Sequence, residues 1–216
     1  TDTPKDFVPF NTYGKFKRGI ATGANEFFSL TKSKIDDIKL EKSEFSLCIT
    51  KSNQVRTSIF SETDLKKLID NDSAIYVFNP LQDTDKLSVE AEKYIKYGES
   101  QDYHRRYLTK NRKNWYVLEK RETFPILFGV FSRGHYKIIR NETNALSLTC
   151  FHGFEPNLIG KSYIDKIFIF LKSDLGKASL LKNKRKYGAD LDKFEPSDLT
   201  NIFIPSPHQL DLIPTE

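Results

Sequence analysis

Short apolar runs separated by polar punctuation organise the chain, a pattern that predicts brief strands and helices. Residues 1–12 read as an extended lead-in, because Pro4 and Pro9 block regular structure. Gly19 and Gly23 bracket a turn whose backbone N–H groups are suited to face an anion, and Phe27, Phe28 and Leu30 suggest a strand after it. Residues 33–38 look like a short capped helical turn and 44–50 (EFSLCIT) like a strand. Ser61 as N-cap with Asp64 three residues on is a variant capping box that opens a helix through Ile69. Residues 74–78 (AIYVF) form a strongly apolar strand ended by Asn79-Pro80. Over 86–98, Leu87, Ala91, Tyr94 and Ile95 recur at helical spacing, with Gly98 as the stop. Residues 124–131 and 136–140 read as a hairpin turning at Ser132-Arg133-Gly134, and 147–154 as a strand closed by Pro156. From Ser162 the period turns helical, with Ile164, Ile167, Phe168 and Leu171 on one face. A second helix starts at Asp174, with Leu175, Leu180 and Leu181 apolar and Lys177, Lys182, Lys184, Arg185 and Lys186 on its other side. A turn and a capped helical turn over 193–199 and an edge strand over 202–205 complete the chain. The fold class is α+β, a mixed or antiparallel sheet with helices at one side, open to division into two lobes.

Composition agrees with a folded protein: 216 residues, 38% hydrophobic and 13% aromatic, with 17 Phe and 10 Tyr favouring sheet. The chain contains no methionine, which points to a piece of something longer. The opening residues (TDTPKDFVPF) have neither the basic flank nor the apolar core of a signal peptide, and no apolar run is long enough to span a membrane. Cys48 and Cys150 have no CxxC context, so a reduced, cytoplasmic setting is expected, with both cysteines in the core. Net charge is +5, unevenly spread. Residues 33–95 hold nine basic against twelve acidic side chains, whereas 172–187 hold six against one. From 101 to 145, ten Lys or Arg stand against four Asp or Glu, interleaved with Tyr, Trp and Phe. Cations that bind phosphates beside rings that stack on bases suit a nucleic-acid surface. An ordinary solvated, lysine-rich face is the bland alternative.

Familiar catalytic signatures are missing from the sequence. No GxGxxG or GxxxxGK[ST] is present for a dinucleotide or a triphosphate. His104, His135, His152 and His208 lack metal-ligand spacing. Asp36-Asp37 and the Asp83, Asp85 pair read as solvated carboxylates, and Asp165-Lys166 and Asp192-Lys193 are too isolated for a nuclease cluster. Asn79-Pro80-Leu81 lacks the second proline and the aromatic of an amino-methyltransferase motif. No catalytic residue and no metal ligand is assigned.

Three blocks carry a resemblance. Residues 18–28 (RGIATGANEFF), then Tyr97-Gly98-Glu99 with Arg106-Tyr107-Leu108 and 112–116 (RKNWY), then 187–199 (YGADLDKFEPSDL) follow one another in order. They resemble the opening, middle and closing blocks of the C-terminal half of γ-class adenine-N6 DNA methyltransferases, the Taq-type and Eco57I-like enzymes of bacterial restriction–modification systems. Ala189 and Asp190 replace two glycines of the closing block. The resemblance implies a target-recognition domain over 13–210 that holds duplex DNA and reads its sequence. It also implies that S-adenosylmethionine and the (N/D)PPY chemistry belong to an N-terminal methyltransferase half, with no cofactor in this chain. Lys15, Lys17 and Arg18, with Thr22, are the first candidates for DNA contact. Arg105, Arg106, Lys110, Arg112, Lys113 and Arg133 come next, then Lys182, Lys184 and Arg185. Trp115 and Tyr116 are candidates for stacking or thymine-methyl contact, Trp115 equally for a core position. Competing readings are a stand-alone specificity subunit serving a separate catalytic chain, a nuclease with an unrecognised site, and a single-strand or RNA binder.

Overall fold

Alternation along Gly14–Arg18 sends Gly14 and Phe16 to a buried face and leaves Lys15 and Lys17 on the other. That strand belongs to the first of two compact units in the computed structural model, which describes residues 5–80, 86–132, 136–182, 185–186 and 191–214. One unit comprises 1–18, 124–141 and 151–216; the other comprises 19–123 and 142–150.

In the first unit Gly14–Arg18 pairs antiparallel with Phe151–Pro156, which pairs with Ile126–Gly129, which pairs in turn with Ile138–Asn141. The hairpin expected over 124–140 is therefore formed, although Arg133 and Gly134 of its expected turn lie outside the described residues. Phe10 packs edge-on against Phe16 at 4.8 Å and lies 4.9 Å from Phe154, and Phe16 meets Phe128 at 5.6 Å. The helices Ile164–Lys172 and Asp174–Leu181 bury Ile167, Phe170, Leu171 and Leu180 in this core. Leu175 and Leu181, expected on the apolar face, are instead exposed. Ser173 accepts a hydrogen bond from Gly176 N at 3.2 Å and so starts a second helix, whose apolar stripe does not continue that of the first. The expected lead-in is partly regular structure. Phe7–Pro9 is an edge strand antiparallel to Phe203–Pro205, a place that tolerates Pro9, and Phe10 is fully buried. A smaller antiparallel set joins Arg185–Lys186, Asp192–Lys193 and Phe131–Ser132.

The second unit holds a mixed sheet in the order Leu146–Ser147, Phe45–Ile49, Tyr76–Phe78, Ser29–Leu30, parallel in the first pair and antiparallel in the others. Local chemistry sets its helices. Ser61 Oγ accepts from Asp64 N at 3.3 Å while the Asp64 carboxylate accepts from Ser61 N at 3.1 Å, so the predicted capping box opens Glu62–Asp70. Thr31 caps Lys32–Ile38, and Ser88 caps Val89–Ser100. The three regions of this unit that depart from the expected elements have physical reasons. Phe27 and Phe28 close a helical turn, Asn25–Phe28, before the strand begins, because Ala24 O accepts from both of their amides. Gly98 lies inside its helix rather than after it: a Cβ there would sit 2.5 Å from Trp115 and 2.6 Å from Phe27. The strand expected over 147–154 splits at a turn, with Leu146–Ser147 in this unit and Phe151–Pro156 in the other. Phe27 stacks on Tyr94 at 4.5 Å and 11°, with Phe28, Phe78 and Trp115 around it. Together the two units make an α+β protein.

Candidate nucleic-acid interface

In the first unit the basic candidates divide by what already neutralises them. Lys15 is exposed on the outer face of its strand. Lys17 Nζ lies 2.7 Å from the Glu155 carboxylate on the neighbouring strand. Arg18 reaches Glu195 at 2.6 Å, and the second oxygen of Glu195 lies 2.7 Å from Lys193. Hydrogen bonding from Lys193, and then from Arg18, holds the Glu195 carboxyl down at about 2. A carboxylate depressed on folding contributes stability above its unfolded value and loses it as the folded form protonates. Stability is therefore expected to decline as pH falls from about 4.5 towards 2, and Glu195→Gln to flatten that decline. Acid titration of both proteins followed by circular dichroism checks it, and identical acid limbs would contradict it. Arg185 pairs with Asp198 at 2.8 Å, and the same carboxylate accepts from Glu195 N at 2.8 Å, capping Pro196–Thr200. Lys182 is exposed at the end of its helix. Arg133 and Lys184 lie outside the described residues.

The second unit gathers Thr22, Arg106, Arg112 and Trp115 around the loop that precedes Asn25–Phe28. Gly19 begins the approach to that loop: a Cβ there would lie 2.0 Å from Leu148 O, so the backbones run in contact and Ile20 N reaches Ser147 O at 2.9 Å. This close approach explains Gly19 without an anion. Thr22 is buried, donates to Asn25 Oδ1 and accepts from Ala24 N at 3.2 Å, which makes it a loop staple rather than a surface contact. Arg112 donates to Ala21 O and, at 3.1 Å, to Trp115 O, with its guanidinium 5.7 Å from the Phe28 ring. Burial lowers its pKa, partly opposed by Glu119. Arg106 pairs with Glu26 at 2.9 Å and lies over the Tyr103 ring. Trp115 is wedged against Phe27 at 4.9 Å and donates to Glu99 at 3.2 Å, so its face is spent on the core. Tyr116 is half-buried, edge-on to Trp115. Arg105, Lys110 and Lys113 are exposed, Arg105 within 3.3 Å of the Asp102 carboxylate three residues before it.

Of the candidate cations of this unit, the three that stay exposed and make no long-range ion pair, Arg105, Lys110 and Lys113, thus sit on one short segment. Tyr103–Arg105 is a turn of 3-10 helix and Tyr107–Lys110 a turn of α-helix. Thr109, fully buried, ties them together by donating to Tyr103 O and Arg106 O. Two groups were passed over in the sequence. Glu195, which the sequence places only within the turn and capped helical turn over 193–199, gathers two cations, and its position two residues from Lys193 is a visible signal. His152 is buried with one ring nitrogen 2.7 Å from Phe194 O, and burial lowers its pKa; nothing in its sequence context marks it. Among the described residues no three His, Cys, Asp or Glu side chains gather as a metal set. No described helix is long and apolar enough to cross a membrane.

Comparisons with known proteins add to this geometry. The family model of the C-terminal domain of the type II methyltransferase M.Eco57I matches residues 2–213. The type II methyltransferase M.AccI of Acinetobacter calcoaceticus is 39% identical over 197 residues, covering 90% of this chain and 36% of M.AccI. The chain thus spans about a third of the length of that relative. Among solved structures, the type IIG restriction endonuclease BpuSI aligns over 96% of this chain and 26% of its own, at a TM-score of 0.47 and 14% identity.

Proposed function

Because this chain belongs to the family of the C-terminal domain of the type II methyltransferase M.Eco57I, we propose that it recognises double-stranded DNA in a sequence-specific manner. It does so as the target-recognition part of a site-specific adenine-N6 DNA methyltransferase of a bacterial restriction–modification system. Transfer of the methyl group, and the S-adenosylmethionine that supplies it, then belong to an N-terminal half that works with this chain in the cytoplasm. The observation that carries the reading is the segment from Arg105 to Lys113. Thr109 ties its two turns together, Arg106 and Arg112 fasten it to Glu26 and Ala21 O, and Arg105, Lys110 and Lys113 stay exposed.

Exposed cations on a fixed backbone release counterions when phosphates replace them, and their spacing sets the register of the duplex. Lys113 is the cleanest probe, because it is exposed and has no ion pair among the described residues. Lys113→Ala is expected to weaken binding to all duplexes alike and to make the slope of log affinity against log salt shallower by about 1. Titration of the 216-residue chain and its variant against mixed-sequence duplex over a salt series tests this. Salt-insensitive binding, or none at low salt, would overturn the proposed function.

A further inference from the structure

A protein surface normally keeps its large apolar side chains covered or scattered, and the basic segment of the second unit does neither. Tyr107 is 76% exposed and Leu108 44% exposed, side by side on the turn Tyr107–Lys110. Cations surround them. Lys110 Nζ lies 5.8 Å from the centre of the Tyr107 ring, and Arg105 and Lys113 stand exposed on either side in the chain.

The support beneath the pair is stiff. Thr109, between Leu108 and Lys110, is fully buried and hydrogen-bonds back to Tyr103 O and Arg106 O. Asn111 donates to Tyr107 O at 2.7 Å. Leu108 is backed by Gly23, whose φ of +77° suits glycine and whose missing Cβ would otherwise come within 2.7 Å of Leu108 Cβ. An apolar group that must hold its place against base stacking needs such a foundation, and one meant for the core does not need the cations.

We propose that Tyr107, on a turn anchored through its neighbour Leu108, is a wedge that enters the DNA base stack at one step while Arg105, Lys110 and Lys113 hold the flanking phosphates. The inference rests on the proposed function, since its ligand is the same duplex. Apolar wedges beside cations unstack a base step and trade stacking energy for a bent, more extensively contacted duplex. Here the ring supplies the π face, and the phosphates flanking the opened step supply the charge that the three cations match.

The test uses the 216-residue chain and a pool of short random duplexes in which some adenines are replaced by 2-aminopurine, whose fluorescence rises on unstacking. Wild type is expected to raise the fluorescence as it binds. Tyr107→Ala is expected to bind roughly 5- to 150-fold more weakly, with an unchanged salt slope and without the fluorescence rise; Tyr107→Phe should restore both. Lys113→Ala should do the converse, a shallower salt slope with the fluorescence rise retained at saturation. Salt-dependent binding by wild type with no fluorescence rise, or with Tyr107→Ala indistinguishable from it, would overturn the wedge and leave DNA recognition standing. Failure of wild type to bind duplex at all would overturn the proposed function and the wedge with it. Tyr107 is at the surface, so its loss does not remove core packing, and unchanged circular dichroism of the alanine variant confirms that the readout concerns binding.

Discussion

Phe27→Ala is expected to destabilise the second unit by about 3–5 kcal/mol. The ring is 1% exposed and touches five aromatic neighbours: Phe28, Phe78, Tyr94, Tyr103 and Trp115. Truncation removes the buried surface of one ring and leaves a void whose walls are anchored elsewhere. Tyr94 is held by its hydroxyl to Phe27 O at 2.6 Å, and Trp115 by its indole N–H to Glu99. Neither can slide in to fill the space without breaking a hydrogen bond, which puts the cost at the upper part of the range. Trp115 is the sole tryptophan of the chain, so its fluorescence reports on this cluster directly. Urea unfolding followed at Trp115 should show the midpoint falling sharply. A shift under about 1 kcal/mol would mean that the cluster collapses around the loss and that Phe27 is not its centre.

Arg112→Ala is expected to cost about 2–4 kcal/mol of stability. Its guanidinium serves Ala21 O and Trp115 O together, bridging two segments 91 residues apart at the first of these contacts. Charge-assisted hydrogen bonds are stronger than neutral ones, and the burial that depresses the pKa of Arg112 also keeps water from replacing it. Arg112→Lys should recover little, because an ammonium cannot span both carbonyls in the geometry of the planar fork. Thermal unfolding of the two variants checks the stability, and the salt dependence of duplex binding checks the role. An unchanged salt slope in whatever fraction stays folded is the signature of a clamp. A slope reduced as in Lys113→Ala, with normal stability, would make Arg112 a phosphate contact instead.

Arg112 and Lys113 show where sequence reading stops. Adjacent in the chain and alike in charge, they are interchangeable in any count of basic residues. What separates them is Ala21 O, far off in sequence, and no local pattern announces it. Lys17 and Arg18 have the same history: Glu155 and Glu195 neutralise them from strands and turns more than a hundred residues away. Features whose cause is local are legible. The Ser61–Asp64 box, the helix start at Asp174 and the hairpin of 126–141 each depend on neighbours within a few residues or on alternation within one pair of strands. Phe27 and Phe28 are not, since two adjacent apolar residues fit a strand and a buried helical turn equally, and the Ala24 carbonyl decides. Gly98 matches a helix stop in sequence, yet its purpose is room for two rings.

The family itself was legible in the three ordered blocks, and the structure indicates what the first of them encodes. In 18–28, Gly19 permits close contact of backbones, Thr22 and Asn25 staple the loop, and Phe27 and Phe28 fill the core. These residues of the block set a fold position. Outward-facing residues such as Lys113 and Tyr107 are fixed by the frame that such blocks build, and they stand out only when burial is known.

The most direct measurement of sequence-specific recognition is selection from a pool of random duplex DNA by this 216-residue chain at two salt concentrations, with sequencing of the bound fraction. The account predicts salt-sensitive retention of duplex and enrichment of one short motif that persists at the higher salt, where phosphate contacts alone are weakened. A bound fraction with the composition of the starting pool at both concentrations would contradict it.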